Sequence, residues 1–332
     1  MSNQNMISIG VMGYNQEKFV RQTMDCILAQ QCNYTFEIVI GDDCSTDNTR
    51  TILEEYQRKF PHIIKLLPRT PNKGILRNFR SVMEACTGKY VSFCHCDDFW
   101  HDPLKLEKEV SFLENNPEYG FVHTDADVLF HNKNKTVPSF HAAEGKPMPE
   151  GDVFEDLLLG KFFVFTGSAC FSKEVINKYV NFDEFEKADF MYEDLPTWLE
   201  LAKNVKFKYL PDSTMTYRVM QNSHSNPKEK ARRYVLMDAH HKMKMHFIKK
   251  YNLGKNKELA FELQYHQMRF NVAYNQNNFA EANKSFQYLK GHNQAGMKLK
   301  LKNTLLRFPV VQTSIKKLKK IYTRDKEFYN EG

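Results

Sequence analysis

The sequence predicts an α/β protein: a mostly parallel, doubly wound sheet flanked by helices, followed by a helical extension at the C-terminal end. Three observations carry this. Over about the first 125 residues, short apolar runs alternate with segments of helical periodicity at βαβ spacing. Two of the runs stop at paired carboxylates, Asp42-Asp43 and Asp97-Asp98, and open α/β sheets bind ligands outside the carboxyl ends of their strands. From Pro227 onward the alternation stops, and apolar residues recur among Lys, Arg and His at helical spacing.

Met6 to Met12 is a short apolar strand closed by Gly13-Tyr14-Asn15, and Phe19, Val20, Met24, Ile27 and Leu28 follow at helical spacing. Phe36 to Ile40 is the next strand; Thr46 or Asp47 can cap the helix carrying Ile52, Leu53 and Tyr56. Ile63 to Leu67 is a third strand, after which Asn72-Lys73-Gly74 breaks into a helix with Phe79, Val82 and Met83. Tyr90 to Cys96 is β-branched and aromatic, ends at Asp97-Asp98, and turns through Asp102-Pro103 into a helix with Leu104, Leu106, Val110 and Leu113. Tyr119 to Thr124 is a fifth strand, and Asp125 and Asp127 behind it read as a solvated strand end. Val205 to Leu210 and Thr214 to Val219 are two later strands around Pro211-Asp212.

The chain has 332 residues, 42% hydrophobic and 26% charged, a globular balance. Charge is uneven: residues 228–332 hold 23 Lys/Arg against 8 Asp/Glu, a net of +15, leaving 24 against 32, a net of −8, for residues 1–227. Two domains are expected, residues 1–226 and a helical, basic region over residues 227–332. Seven scattered cysteines, an odd number, point to a reducing cytoplasmic compartment. No secretory h-region follows Met1, and no run reaches the roughly 18 apolar residues of a spanning helix.

Adjacent acids repel one another and resist burial unless a positive charge stands beside them. A divalent cation with a phosphorylated ligand supplies that charge, and hard oxygens suit Mg²⁺ or Mn²⁺. Asp-rich turns also cap helices, so one pair alone decides nothing; two pairs on one sheet can line a single nucleotide crevice. Neither G-x-G-x-x-G nor G-x-x-x-x-G-K-[ST] occurs, so phosphates are expected to be held through a metal. Cys94-His95-Cys96 lacks a nearby fourth ligand for zinc, and alternation sends both cysteines to one face, as small core residues.

The order Ser8-Ile-Gly-Val-Met-Gly-Tyr-Asn15, Glu37-Ile-Val-Ile-Gly-Asp-Asp-Cys-Ser-Thr-Asp47, Asn72-Lys-Gly74 and Gly88-Lys-Tyr-Val-Ser92 through Asp97-Asp-Phe-Trp100 resembles a family 2 glycosyltransferase over roughly residues 6–220. The resemblance implies the GT-A fold, a nucleotide-sugar donor, UDP-linked, a divalent metal, Mn²⁺ or Mg²⁺, and inversion at the anomeric carbon. Carried over residue by residue, it implies that Met12, Tyr14 and Asn15 face the nucleotide, with Lys73 also on the donor side. Asp42 or Asp43 would hydrogen-bond the uracil N–H or ribose. Asp97 would contact the ribose or the metal, and Asp98 would bind the metal. A common form of the motif has an acid where this chain has His95. The family places its catalytic base in a Glu-Asp pair followed by an aromatic residue, which here is Glu193-Asp194 with Trp198. Asp194 is the expected base and Glu193 the alternative; both also suit the first turn of a helix, where the dipole stabilises anions.

In relatives the stretch from Phe162 to Phe171 borders the acceptor, so Thr166 and Ser168 are acceptor-side candidates. Arg218 and His224 would approach the diphosphate. The Gln-x-x-Arg-Trp motif of processive synthases is absent. The expected activity is therefore a single, non-processive transfer to a hydroxyl of a glycan or lipid-linked glycan, in bacterial-type surface polysaccharide synthesis. Met297 to Tyr322 is basic and apolar, divided by Pro309, and reads as a helix lying on an anionic membrane surface, the inner face of the cell membrane. Nucleic acid is not an expected partner. The rival readings are a nucleotidyltransferase, which would carry a basic, glycine-rich phosphate loop, and a non-catalytic nucleotide- or carbohydrate-binding protein on the same fold.

Overall fold

A computed structural model describes residues 7–145, 147–220 and 230–307. The chain divides into two compact units at Asn226/Pro227. In the first, β1 (Ile7–Gly13), α1 (Val20–Leu28), β2 (Phe36–Asp42), α2 (Thr49–Lys59), β3 (Ile64–Leu66), α3 (Ile75–Ala85) and β4 (Tyr90–His95) alternate as the periodicity predicts. Then come β5 (Phe99–Trp100), α4 (Lys105–Asn115), β6 (Tyr119–Phe130), β7 (Lys135–Val137), α5 (Phe140–Ala143), α6 (Phe154–Leu159), β8 (Ala169–Ser172), α7 (Lys173–Tyr179), α8 (Phe182–Lys187), α9 (Asp194–Asn204) and β9 (Lys206–Val219).

These strands form one sheet in the order β3-β2-β1-β4-β8-β6-β9-β5, with β7 beside β6. The first four are mutually parallel. β8 enters antiparallel between β4 and β6, so the fifth predicted strand does not neighbour the fourth. β6 and β9 pair in parallel, with register shifts near Asp125. The two strands expected around Pro211 are one long strand, β9, crossing this irregularity.

Alternation sorts the side chains into two layers. Ile9, Val11, Ile38, Ile40, Cys94, Cys96 and Cys170 pack with α1, α2 and α4 through Val20, Met24, Leu53, Tyr56, Leu106 and Val110. Phe93, Phe171, Phe121 and Phe207 stack on the other face, the last two rings 3.9 Å apart. Trp198 of α9 closes this stack edge-on against Phe121 and Phe171.

The Asp125-Asp127 segment corrects the reading of a solvated strand end. β6 continues to Phe130, and Asp125 is fully buried. Its oxygens accept the N–H groups of His141 and Ala142 at 3.0 Å and the Tyr209 hydroxyl at 2.9 Å. Asp127 Oδ1 accepts the Ser139 N–H and the Ser213 hydroxyl. The acids satisfy orphan donors of α5, whose partners lie too far along the chain for local reading to find.

In the second unit, α10 (Lys230–Lys250), α11 (Lys255–Asn275), α12 (Phe279–Gly291) and α13 (Met297–Leu305) follow one another, α11 and α12 meeting at the turn Gln276-Asn277-Asn278. Phe270, Ala273, Tyr274, Ala282, Phe286, Leu289, Leu299 and Leu306 form its core. Arg269 joins three helices by pairing with Asp238 and, at 2.7 Å, with Glu281. Met297 and Leu301 of α13 are exposed, at 87% and 60%. Most of the expected membrane-surface stretch, residues 308–322, lies outside the described residues. Among those described, no helix is long and apolar enough to cross a membrane.

One ion pair is wholly internal. Lys105 Nζ lies 2.7 and 2.6 Å from the Glu109 oxygens and 3.1 Å from Ser92 Oγ, both charged side chains are fully buried, and Nζ sits 4.4 Å from the Trp100 ring centroid. Removing one partner strands a charge in the core. Lys105→Met should cost about 3–5 kcal/mol in urea denaturation, and Lys105→Met with Glu109→Met should recover much of that loss.

Candidate active site

The carboxyl ends of β1, β2 and β4 lie flush. Met12 pairs with both Gly41 and His95, and Gly13 with Asp42, so the loops after all three strands emerge together. Gly13 is required by that closeness: a Cβ there would stand 2.5 Å from Cys96 Sγ. Met12 is buried beside His95, while Tyr14 is 43% exposed at the rim.

The loops after β1 and β2 are stitched reciprocally. The Asn15 N–H donates to Ser45 Oγ at 2.9 Å, and Asn15 Oδ1 accepts the Thr46 N–H at 2.8 Å. Gln16 N–H donates to Thr49 Oγ1, Glu17 N–H to Asp47 Oδ2, and Asn48 N–H back to Glu17 Oε2. Asn15 holds this wall together from a left-handed backbone, φ 55°. The N-cap position of α2 is Asn48, one residue past the two cap residues the sequence offers; of those two, Asp47 accepts the Thr49 N–H at 3.0 Å.

The first acid pair divides its duties. Asp43 accepts the N–H of Lys73 on one oxygen and of Gly74 on the other, both at 2.9 Å, and so anchors the start of α3. Gly74 has φ 83°, a conformation that glycine adopts without cost. Lys73 Nζ turns to Ser81 Oγ at 2.7 Å. Asp42 is also buried, but its Oδ2 has no partner among the described residues. Of the two acids, Asp42 is the one with an acceptor to spare for a ligand.

The second pair is held by Arg218 on β9. The Arg218 N–H donates to Asp98 Oδ1 at 2.8 Å, its Nη1 to the Asp97 carbonyl and its Nη2 to Gln22 Oε1. The guanidinium lies 4.3 Å from the Phe19 ring centroid and 5.2 Å from that of Phe99. The guanidinium, expected at the diphosphate, holds the acidic turn through Nη1 and Nη2, and its Nε has no partner among the described residues; His224 lies outside the described residues. Thr23 Oγ1 lies 2.6 Å from the Asp98 carbonyl oxygen, tying the turn to α1. Asp97 is half-buried and Asp98 4% exposed. Burial, then Asp97, push the Asp98 carboxyl up to about 8 against His95 and Arg218. Cys94 and Cys96 are buried in the core, and among the described residues no group of three or more His, Cys, Asp and Glu is placed to hold a metal.

Glu193 caps α9 and Asp194 begins it. Glu193 is 2% exposed, and its Oε1 lies 3.4 Å from His95 Nε2, an ion-pair contact short of hydrogen-bond geometry. Desolvation works to lower His95, but Glu193, then Asp97 and Asp98, outweigh it and raise the imidazole to about 9. Asp194 is half-buried, with Oδ1 2.6 Å from the Leu195 N–H. Burial, then Glu193, push it up to about 7 against the Leu195 N–H and His95. Trp198 serves as packing, and Ser168 donates to the Phe165 carbonyl within its own turn. The Glu193–Asp194 pair thus stands against the end of β4, which carries the Asp97–Asp98 pair.

Because Asp43 holds two backbone donors, Asp43→Ala should cost about 2–4 kcal/mol in thermal or urea unfolding. Asp42→Asn should change stability by less than about 1 kcal/mol. Equal losses in both variants would overturn this division.

A protein-family model described as Glycosyl transferase family 2 matches residues 8–180. An uncharacterized Mycobacterium tuberculosis protein is 30% identical over 213 residues, 64% of this chain; the chain thus spans 58% of that relative's length. The putative teichuronic acid biosynthesis glycosyltransferase TuaG of Bacillus subtilis is 27% identical, covering 74% of this chain and 91% of TuaG. The Escherichia coli UDP-Glc:alpha-D-GlcNAc-diphosphoundecaprenol beta-1,3-glucosyltransferase WfgD is 25% identical over 68% of this chain and 81% of its own. Among solved structures, the mannosyltransferase PcManGT of Pyrobaculum calidifontis, in complex with GDP-Man and Mn²⁺, superposes with a TM-score of 0.56 at 16% identity, over 95% of this chain and 87% of its own. Staphylococcus aureus TarS 1-349, in complex with UDP-GlcNAc, gives 0.54 at 14% identity, over 92% and 88%. The fold is the GT-A sheet these structures share, and the chain belongs to glycosyl transferase family 2.

Proposed function

We propose that this transferase moves a sugar, with inversion and one unit at a time, from a UDP-sugar to a hydroxyl of a glycan or lipid-linked glycan in surface polysaccharide synthesis. The observation that carries the reading is the juxtaposition of the two acid pairs, joined where His95 meets Glu193. The donor and the lipid-linked acceptor are supported by what WfgD's name states for that enzyme, and the polysaccharide setting also by TuaG.

Asp42, with its spare buried oxygen, accepts from the uracil or ribose, and Met12, Tyr14 and Asn15 form the wall beside it. A divalent cation, Mn²⁺ or Mg²⁺, fits Asp97 and Asp98: two hard oxygen donors, of which Asp98 is driven toward protonation by burial and then by Asp97, with substrate phosphates and water to complete the shell. When bound, it would offset the charge of the leaving diphosphate. Asp194 takes the proton from the acceptor hydroxyl. Its elevated basicity suits that task near neutral pH, and its half-exposed position suits it better than the buried Glu193. The basic tail is the proposed contact with an anionic inner membrane face, supported by exposed Met297 and Leu301 between lysines.

Four measurements test this. UDP with Mn²⁺ should raise the melting temperature more than either alone; no shift with any nucleotide would favour a non-catalytic binding role. Asp194→Asn should cut turnover about 10²–10⁴-fold while that shift persists. Asp194 accepts a proton only when ionised, so kcat should fall as pH drops through about 7, and a flat profile from pH 5.5 to 8 would remove it as base. For the tail, flotation with anionic vesicles should be lost on deleting residues 297–332; equal binding with and without them would exclude the anchor.

A further inference from the structure

We propose that His95 is a positioning residue for transfer, tying buried Glu193, and with it the start of the helix that carries Asp194, to the strand end that carries Asp97 and Asp98. The inference rests on the reading of Asp194 as base and adds to it the device that sets the base's position.

Four features of the contact point this way. Glu193 is almost entirely buried, and a carboxylate so placed needs a partner. Among the described residues, His95 is the basic side chain in ion-pair contact with it, at 3.4 Å. His95 Nε2 is itself buried and makes no hydrogen bond among the described residues. The two side chains sit at the ends of their elements: His95 is the last residue of β4 and Glu193 the cap of α9.

The rest of α9 is secured elsewhere, through Trp198 against Phe121 and Phe171, and the Thr197 hydroxyl donates to the Glu193 carbonyl at 2.6 Å within the first turn. Where the chain enters the helix is thus set at the Glu193 side chain, and Asp194 is the next residue. Displacing that carboxylate toward water re-aims the neighbouring one. A misplacement of about 1 Å at a reacting group can cost about 10²-fold. The donor wall formed by the β1 and β2 loops shares none of these contacts.

The test is a double-mutant cycle of His95→Ala and Glu193→Gln, with His95→Gln as the variant that keeps an N–H donor. His95→Ala should lower kcat about 10–10²-fold with the KM for donor changed less than about twofold. His95→Gln should recover part of it, and the double variant should lose no more than the worse single. The melting shift given by UDP with Mn²⁺ should persist in each, which separates misplacement from misfolding. Unchanged kcat in His95→Ala, or losses that multiply in the double variant, would overturn the proposal. If the wild-type chain transfers no sugar from any donor, the transferase reading fails instead. The same cycle run on urea midpoints then decides the tie, with non-additive shifts supporting it and additive shifts overturning it.

Discussion

Like charge crowded onto one edge of a sheet is the constraint around which this protein is arranged. Asp97, Asp98, Glu193 and Asp194 converge where β4 and α9 meet; burial, and then the neighbouring acid, makes Asp98 beside Asp97 and Asp194 beside Glu193 harder to ionise. The surroundings answer with directed donors rather than a pool of cations. Arg218 spends its backbone N–H on Asp98 and its guanidinium on the Asp97 carbonyl, braced by Phe19, Phe99 and Gln22. His95 faces Glu193. These contacts hold the acids in place, an arrangement in keeping with the proposed cation and the proposed proton abstraction by Asp194.

Much of the fold could be read in advance because its first half obeys simple periods. Strands β1 to β4 and helices α1 to α4 fall where apolar spacing puts them, and Gly74 and Asp47 act as local punctuation. The reading weakens where partners are remote. Asp125 looks solvated because its donors, His141, Ala142 and Tyr209, lie far along the chain. β8 is four residues long and enters the sheet antiparallel, a placement its composition does not announce.

The site shows the same division. Acid pairs at strand ends were visible as pairs, yet nothing in Asp42-Asp43 says which carboxylate anchors a backbone and which keeps a spare oxygen. That depends on where Lys73 and Gly74 return. Arg218 reads in the sequence as a diphosphate contact; its hold on the acidic turn is not legible there, because those partners come from α1 and from the turn after β4. His95 stood out only as an unusual residue in an acidic motif, and its meaning needs Glu193 beside it.

The reciprocal stitching of the β1 and β2 loops has a consequence for engineering. Each loop supplies side chains that satisfy the other's backbone: Asn15 to Thr46, Ser45 to Asn15, Asp47 to Glu17, Glu17 to Asn48. Neither is a self-contained module. A chimaera that imports one loop from a relative inherits donors and acceptors whose counterparts stayed behind, so the two loops form a single cassette for redesign.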